Sequence, residues 1–137
     1  MTTARRREPG DPEKALRRIA YLLEAQGAES FKVKAFRRAA AAIAGVTDQE
    51  LRRLVAEVQL RTLAGVGEST ARAIEETLGE GTPSYLKALE ATKPLPLSDA
   101  AAALRGRLRG DCHCHSDWSD GGSPIGEMAQ AALELGL

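Results

Sequence analysis

The segment Leu63-Ala64-Gly65-Val66-Gly67-Glu68-Ser69 places two glycines around one apolar residue, between two stretches with helical spacing of apolar side chains. Glycine permits a positive φ and lets another backbone come close, so the pattern predicts a tight turn between two helices. The turn exposes the amides of Gly67, Glu68 and Ser69 at a helix N-terminus, where a phosphodiester fits and the Ser69 hydroxyl adds a donor. Short glycine patterns also occur in turns with no binding role, and this alternative stays open.

Around this turn, the sequence predicts an all-helical bundle up to residue 92. Its helices begin near residues 11, 30, 47, 69 and 82, where caps or prolines precede apolar residues at helical spacing. Thr47 with Glu50 has the spacing of a capping box. Phe31 and Ala35 are placed on the apolar side of the second helix and Val58 on that of the third, while Gly79 is expected to end the fourth.

The chain outside this bundle divides into three segments. Residues 1–10 are polar and are expected to be a disordered tail, so the bundle covers residues 11–92. Residues 93–106 are a proline-containing linker in which Ser98 caps a short helical stretch. Residues 107–137 predict a strand over 108–115, a glycine-rich loop, and a helix opened by Ser123-Pro124.

Charge is distributed unevenly along the chain. Residues 1–92 carry fifteen Lys and Arg against thirteen Asp and Glu, whereas residues 111–137 carry five acids and no Lys or Arg. The N-terminal part is therefore mildly basic, as in a protein that binds phosphate, and the C-terminal part is acidic, as in a protein that binds cations. Solvated helix faces would give the same distribution of charge. No apolar run has the length of a membrane helix, and the N-terminus does not have the pattern of a secretory signal. The two cysteines do not suggest an oxidising compartment. A cytoplasmic location is therefore expected.

Residues 31–43 and 63–78 together resemble the N-terminal domain of family X DNA polymerases, and the glycine turn resembles their helix-hairpin-helix motif. The resemblance covers about residues 11–92 and implies DNA binding through the backbone phosphate, independent of base sequence. It also implies that carbonyls of the turn hold a monovalent cation. The residues that it places at the DNA are Lys32, Gly65, Val66, Gly67, Glu68 and Ser69. The basic side chains near Lys32 also fit a solvated helix face.

The sequence departs from that family at two lysine positions. Ala73 stands where the resemblance places the lysine that forms a Schiff base, and Ser69 stands where it places a second phosphate-binding lysine. Because an imine requires an amine, the departure argues against lyase chemistry on deoxyribose phosphate.

A second cluster of chemically active side chains is Asp111-Cys112-His113-Cys114-His115, followed by Asp117 and Asp120. Side chains alternate faces along a strand, so His113 and His115 would share one face while Cys112 and Cys114 pack on the other as buried apolar residues. Imidazole with carboxylate suits Zn²⁺, Mn²⁺ or Fe²⁺. The alternative is a pair of solvated or core histidines without a metal.

Residues 107–137 resemble the first motif and first helix of the PHP (polymerase and histidinol phosphatase) domain. The resemblance implies the first β/α unit of a distorted (β/α)₇ barrel with two or three divalent ions, and it makes His113, His115 and Asp120 metal ligands, with Asp111 as a supporting partner. We expect the chain to be the front end of a longer protein and inactive by itself, because one strand and one helix cannot hold such a centre.

The overall hypothesis is a mainly α chain, in which a DNA-binding helix-hairpin-helix domain is joined to the incomplete start of a PHP phosphoesterase. The parent protein is expected to act on DNA ends or another phosphoester in DNA repair. Three alternatives are a relative of family X polymerases, a docking module with a non-catalytic PHP remnant, and a small-molecule phosphatase of the histidinol-phosphatase type. The sequence leaves the oligomeric state undetermined.

Overall fold

The computed structural model describes residues 10–92 and 96–137. It consists of two compact units, one within residues 1–93 and the other within residues 94–137. The predicted tail falls almost wholly on residues 1–9, and the first three residues of the predicted linker are residues 93–95; both ranges lie outside the described residues. Among the described helices, none combines the length and apolar composition of a membrane span.

The first unit is a bundle of five α-helices, which confirms the all-helical prediction for this part of the chain. A short 3-10 turn, Leu60–Thr62, precedes the glycine turn. The five helices are α1 (Pro12–Ala25), α2 (Ser30–Ile43), α3 (Asp48–Ala56), α4 (Glu68–Glu80) and α5 (Ser84–Ala91).

Side-chain caps begin two of these helices, α1 and α3. The Asp11 carboxylate accepts hydrogen bonds from the amides of Glu13 and Lys14, at 3.0 and 3.3 Å. The Thr47 hydroxyl accepts from the Glu50 amide at 3.2 Å. The Glu50 carboxylate instead binds Arg53, so the return contact of the predicted capping box is not made.

The fourth helix continues past its predicted end. It runs through Gly79 to Glu80 and ends where Gly81 adopts a φ of +83°. A glycine inside a helix costs only about 1 kcal/mol, which the packing of buried Ile74 and Thr77 on the same helix offsets. Gly81, not Gly79, therefore terminates α4.

The core lies where α1 packs against α2, α4 and α5. Leu16, Ile19, Ile43 and Ile74 are almost fully buried, and each contributes roughly 1.5–3 kcal/mol by leaving water. On α2 the buried stripe passes through Val33, Phe36, Ala39, Ala40 and Ile43.

The buried stripe of α2 differs from the predicted one, because Phe31 and Ala35 are exposed and Val33 takes the core-facing position. Val58 is also exposed, at 86%, with a φ of +55°. Its amide and that of Gln59 bond back to Val55 and Leu54 and close the end of α3. Val58 therefore caps α3 in the left-handed conformation and does not extend its apolar stripe.

The second unit contains α6 (Asp99–Arg105) and α7 (Ile125–Leu135). The Ser98 hydroxyl caps α6 by accepting from the Ala101 amide at 3.3 Å, as predicted. Residues 108–115 form no strand, and residues 96–137 contain none, so the strand prediction is wrong for this structure. A strand needs a hydrogen-bonded neighbour, and these residues provide none. Cys112 and Cys114 are consequently exposed, contrary to the prediction that they are buried.

Candidate nucleic-acid interface

The two glycines of the turn adopt different conformations. Gly65 has a φ of +96°, and a Cβ built on it would lie 3.4 Å from the backbone oxygen of Arg38. The turn therefore approaches the backbone of α2 closely and uses the freedom of glycine at this position. Gly67 has an extended backbone, with a φ of −101°, and open space where a side chain would stand. Gly65 is required by conformation, whereas Gly67 keeps the surface of the turn open.

The side chain of Thr70 fixes the turn onto α4, a role that the sequence analysis missed. Its Oγ accepts a hydrogen bond from the Gly67 amide at 2.9 Å and donates one to the Gly67 carbonyl at 3.0 Å. The sequence feature that could have predicted this role is the spacing Gly67-x-x-Thr70. It is the spacing of a capping box, in which the side chain of the third helical residue bonds to the backbone of the capping residue. Since the Gly67 amide is occupied, the amides of Glu68 and Ser69 are the predicted DNA-binding donors that lack an intrahelical acceptor at the start of α4.

Basic side chains lie beside this turn on α2. Arg38 contacts Gly65, and Lys34 is one helical turn earlier on the same face of α2. Within the described part of the chain, Lys34 and Arg38 form no ion pair. Both charges are exposed and available to an anion, whereas Glu68 places one acidic side chain at the start of α4. The surface beside the turn therefore carries exposed basic side chains on its α2 side.

A cleft of about 790 Å³ opens next to the turn, between the start of α2, the start of α4 and α5. Four of the six predicted DNA-binding residues, Lys32, Gly67, Glu68 and Ser69, line it, whereas Gly65 and Val66 do not. Val66 instead is buried in the core and anchors the turn there.

Cationic character inside the cleft is low. Lys32 Nζ lies 3.2 Å from a Glu29 carboxylate oxygen, on the surface. The buried Ala73 forms part of the wall, so among the lining residues Lys32 carries the only amine. The cleft thus lacks a side-chain amine at the position where the family resemblance places the Schiff-base lysine.

Glu76 is a negatively charged part of the cleft wall. Its carboxylate accepts hydrogen bonds from the Ser84 hydroxyl at 2.7 Å, from Arg72 Nε at 2.8 Å and from the Ser84 amide at 2.6 Å. These donors lower the pKa of Glu76 to about 2, with the Ser84 hydroxyl and then Arg72 as the largest causes. Glu76 is therefore ionised at neutral pH.

In the second unit the structure brings His113, His115 and Asp120 together. The two Nε2 atoms lie 2.7 Å apart, while the Asp120 carboxylate contacts Nδ1 of His115. The Asp111 carboxylate accepts from the His113 amide at 3.0 Å, which lowers the pKa of Asp111, and the Cys114 thiol is the next cause. Asp111 thus supports the backbone that carries His113.

Two histidine nitrogens on one zinc ion, each about 2.0–2.1 Å from it, lie roughly 3.3 Å apart in tetrahedral geometry. The His113–His115 pair would need only a small separation to hold an ion. Asp120, however, lies at the opposite edge of the His115 ring, where it orients the imidazole. Within the described residues, no three His, Cys, Asp or Glu side chains are placed to hold one metal ion. The two facing histidine nitrogens are therefore the candidate metal-binding atoms, and Asp120 is placed as a partner of His115.

Comparison with known proteins gives two matches. The family model of the helix-hairpin-helix domain matches residues 10–83, which include the turn and the cleft but not the histidine cluster. The chain is 38% identical over 79 residues to the "DNA polymerase/3'-5' exonuclease PolX" of Bacillus subtilis (strain 168). That match covers 58% of this chain and 13% of the relative, so the chain spans only a small part of the relative's length. No solved structure matches the chain.

Proposed function

Because this chain belongs to the helix-hairpin-helix domain family, we propose that residues 11–92 bind DNA through its backbone phosphates, without sequence preference. The observation that carries the proposal is the Gly65 turn, which lies against Arg38 on α2 and leads into the amides of Glu68 and Ser69 at the start of α4. Amides and cations of this kind contact phosphate oxygens, which are the same at every base pair. Independence of base sequence follows from that chemistry.

The close contact between Gly65 and Arg38 gives the site its rigidity. It holds the turn against α2, and the proposal is that the amides of Glu68 and Ser69 and the exposed cations Lys34 and Arg38 contact the same phosphate strand. With about two phosphates neutralised, the logarithm of affinity is expected to fall with the logarithm of salt with a slope of about −2. The carbonyls of the turn would hold a monovalent cation, which would supply positive charge next to the phosphate.

The proposal assigns no lyase chemistry to this domain. Ala73 supplies no nucleophilic nitrogen, and the nearby Lys32 lies at the surface, paired with Glu29. The domain is therefore proposed to hold DNA for a reaction carried out by another part of a longer protein.

We propose further that residues 107–137 belong to a PHP-type phosphoesterase that acts on DNA ends or another phosphoester in DNA repair. The facing Nε2 atoms of His113 and His115 support this proposal. These two nitrogens would hold a divalent ion, zinc or manganese, with iron as the alternative. When bound, such an ion activates water and neutralises phosphoryl oxygens. Asp120 contacts Nδ1 of His115, which would leave the Nε2 atom of that ring to hold the ion.

The test of DNA binding compares two glycines that both have room for a side chain. Gly67→Val places a branched side chain on the proposed phosphate-binding surface, and Gly45→Val places the same group on a different loop, since no atom lies within 4 Å of either built Cβ. Loss of charge-assisted hydrogen bonds predicts an affinity roughly 10- to 150-fold weaker for Gly67→Val, measured by fluorescence anisotropy with labelled duplex DNA. Gly45→Val should bind like the original chain. Equal affinity of the two variants would refute the hairpin as the binding surface.

A further inference from the structure

The loop from His115 to Gly121 closes on itself. The amides of Ser119 and Gly121 both donate to the Ser116 carbonyl, at 3.0 and 3.1 Å. The Asp120 carboxylate contacts Nδ1 of His115 across the same loop. Backbone hydrogen bonds and one side-chain contact therefore close the loop together, on the ring that the proposed function assigns to a metal ion.

Gly121 is the position at which this loop leaves no room for a side chain. A Cβ built on Gly121 would overlap the backbone carbonyl of His115 and would lie 2.9 Å from the Ser116 amide nitrogen. Among the glycines whose surroundings the structure describes, no other has a backbone neighbour so close. The φ of Gly121 lies outside the left-handed region, so the loop needs glycine here for space and not for backbone freedom.

An alanine at this position would open the loop. Carbon atoms that are not bonded to each other pack at roughly 3.5–4.0 Å, so the added Cβ would separate the backbones of Gly121 and His115 by about 1 Å or more. The obstructing atoms belong to the main chain, which cannot rotate aside like the end of a flexible side chain. Asp120 directly precedes Gly121, so its carboxylate would be displaced from Nδ1 of His115.

The contact with Asp120 decides which nitrogen of His115 carries a proton. A carboxylate oxygen accepts, so Nδ1 of a neutral His115 donates to Asp120, and Nε2 keeps its lone pair. That lone pair accepts from Nε2 of His113 at 2.7 Å, so the two rings adopt opposite tautomers. His115 therefore presents the deprotonated nitrogen that a metal ion requires, whereas His113 can bind through Nε2 only after its proton moves to Nδ1.

We propose that Gly121 is a positioning residue for His115, because the side chain that it lacks would keep Asp120 away from Nδ1. Gly121 acts on the histidine only through Asp120, which fixes the proton on Nδ1. The inference rests on the proposed function where it concerns a metal ion, since a fixed lone pair on Nε2 favours binding of that ion. Loss of a group that orients a metal-binding histidine costs roughly 10- to 100-fold in metal affinity, and we expect this loss for Gly121→Ala.

The experiment records side-chain ¹⁵N NMR spectra of the full, metal-free chain at alkaline pH, where imidazole is neutral. The chemical shifts of Nδ1 and Nε2 identify the nitrogen that carries the proton. In the original chain, His115 should have its proton on Nδ1 and His113 on Nε2. Gly121→Ala should give a mixture of both tautomers for His115. Asp120→Ala should give the same mixture, because both substitutions remove the carboxylate contact.

Gly110→Ala is the matched control. Gly110 also lies close to the histidines in the chain, but no atom lies within 4 Å of its built Cβ, so the variant should keep the tautomers of the original chain. Titration with zinc chloride, followed in the same spectra, should give an affinity roughly 10- to 100-fold weaker for Gly121→Ala and unchanged for Gly110→Ala. Far-UV circular dichroism verifies that the helices persist in each variant.

The outcomes separate this inference from the proposed function. Original tautomers in Gly121→Ala would overturn the inference, and so would a mixture of tautomers for His115 in the original chain. Equal zinc affinity of Gly121→Ala and the original chain would also overturn it. Absence of zinc binding by the original chain, with its tautomers as expected, would count against the proposed metal ion and would leave the role of Gly121 at His115 standing.

Discussion

Replacement of Gly65 by alanine tests whether the turn depends on the conformation of its first glycine. Gly65 has a φ of +96°, in the region that residues with a side chain rarely adopt. The alanine Cβ would lie 3.4 Å from the Arg38 oxygen, an ordinary contact, so the cost is almost wholly conformational. Strain of this kind costs about 1–3 kcal/mol. For a domain of this size each kcal/mol lowers Tm by roughly 4–8 °C, so Tm should fall by about 4–24 °C.

Gly67→Ala is the matched control from the same turn. Its backbone is extended, with a φ of −101°, and no atom lies within 4 Å of the built Cβ. The small cost of losing a glycine cap is offset by reduced freedom of the unfolded chain, so stability should change by less than about 0.5 kcal/mol. Thermal unfolding followed by far-UV circular dichroism measures both variants. The same Tm for Gly65→Ala and Gly67→Ala would refute the assignment of different roles to the two glycines.

Three further predictions concern other parts of the first unit. Val58→Gly should stabilise the chain by about 0.5–1 kcal/mol in urea unfolding, because a β-branched residue at a φ of +55° is strained; a lower midpoint would contradict this. The pKa of Glu76 is lowered from 4.5 to about 2 in the fold, so its stabilising effect is present above pH 4.5 and disappears as pH falls towards 2. The stability difference between the original chain and Glu76→Gln should therefore shrink over that range, and a difference that grows on acidification would contradict the assigned donors. Borohydride treatment with DNA that carries an abasic 5′ end should trap no covalent adduct, because Ala73 offers no amine; an adduct would point to Lys32 or Lys34 as a displaced nucleophile.

Local signals predicted the helices of the first unit well. Asp11 with Pro12 starts α1, and Thr47 starts α3, because a cap acts on amides only two or three residues away. The end of α4 was not predictable in this way. Gly79 has the local character of a helix terminator, but the helix continues to Glu80 because Ile74 and Thr77 pack into the core.

Prediction of the candidate site from the sequence was partial. The glycine turn was recognisable from its spacing, and the structure confirms a turn there between the 3-10 turn and α4. The role of Thr70 was missed, since its hydroxyl acts only once the turn has brought it to Gly67. Phe31 was placed in the core from its spacing, whereas it is an exposed wall of the cleft. A stripe of apolar residues on a helix is broad enough that sequence alone does not tell its buried edge from its exposed edge.

The amino-acid sequence by itself determined the helical class of the first unit, most helix starts and the place of the turn, because these depend on interactions within a few residues. It also identified the histidine pair, though not its conformation, since residues 108–115 lack the strand neighbour that would make them a strand. Only the tertiary structure decided that Gly65 lies against Arg38 and that Phe31, Ala73 and Tyr85 share one cleft. Those relations join residues far apart in the chain. They arise because burial of the common core sets the positions of whole helices. A sequence pattern of a few residues does not contain that information.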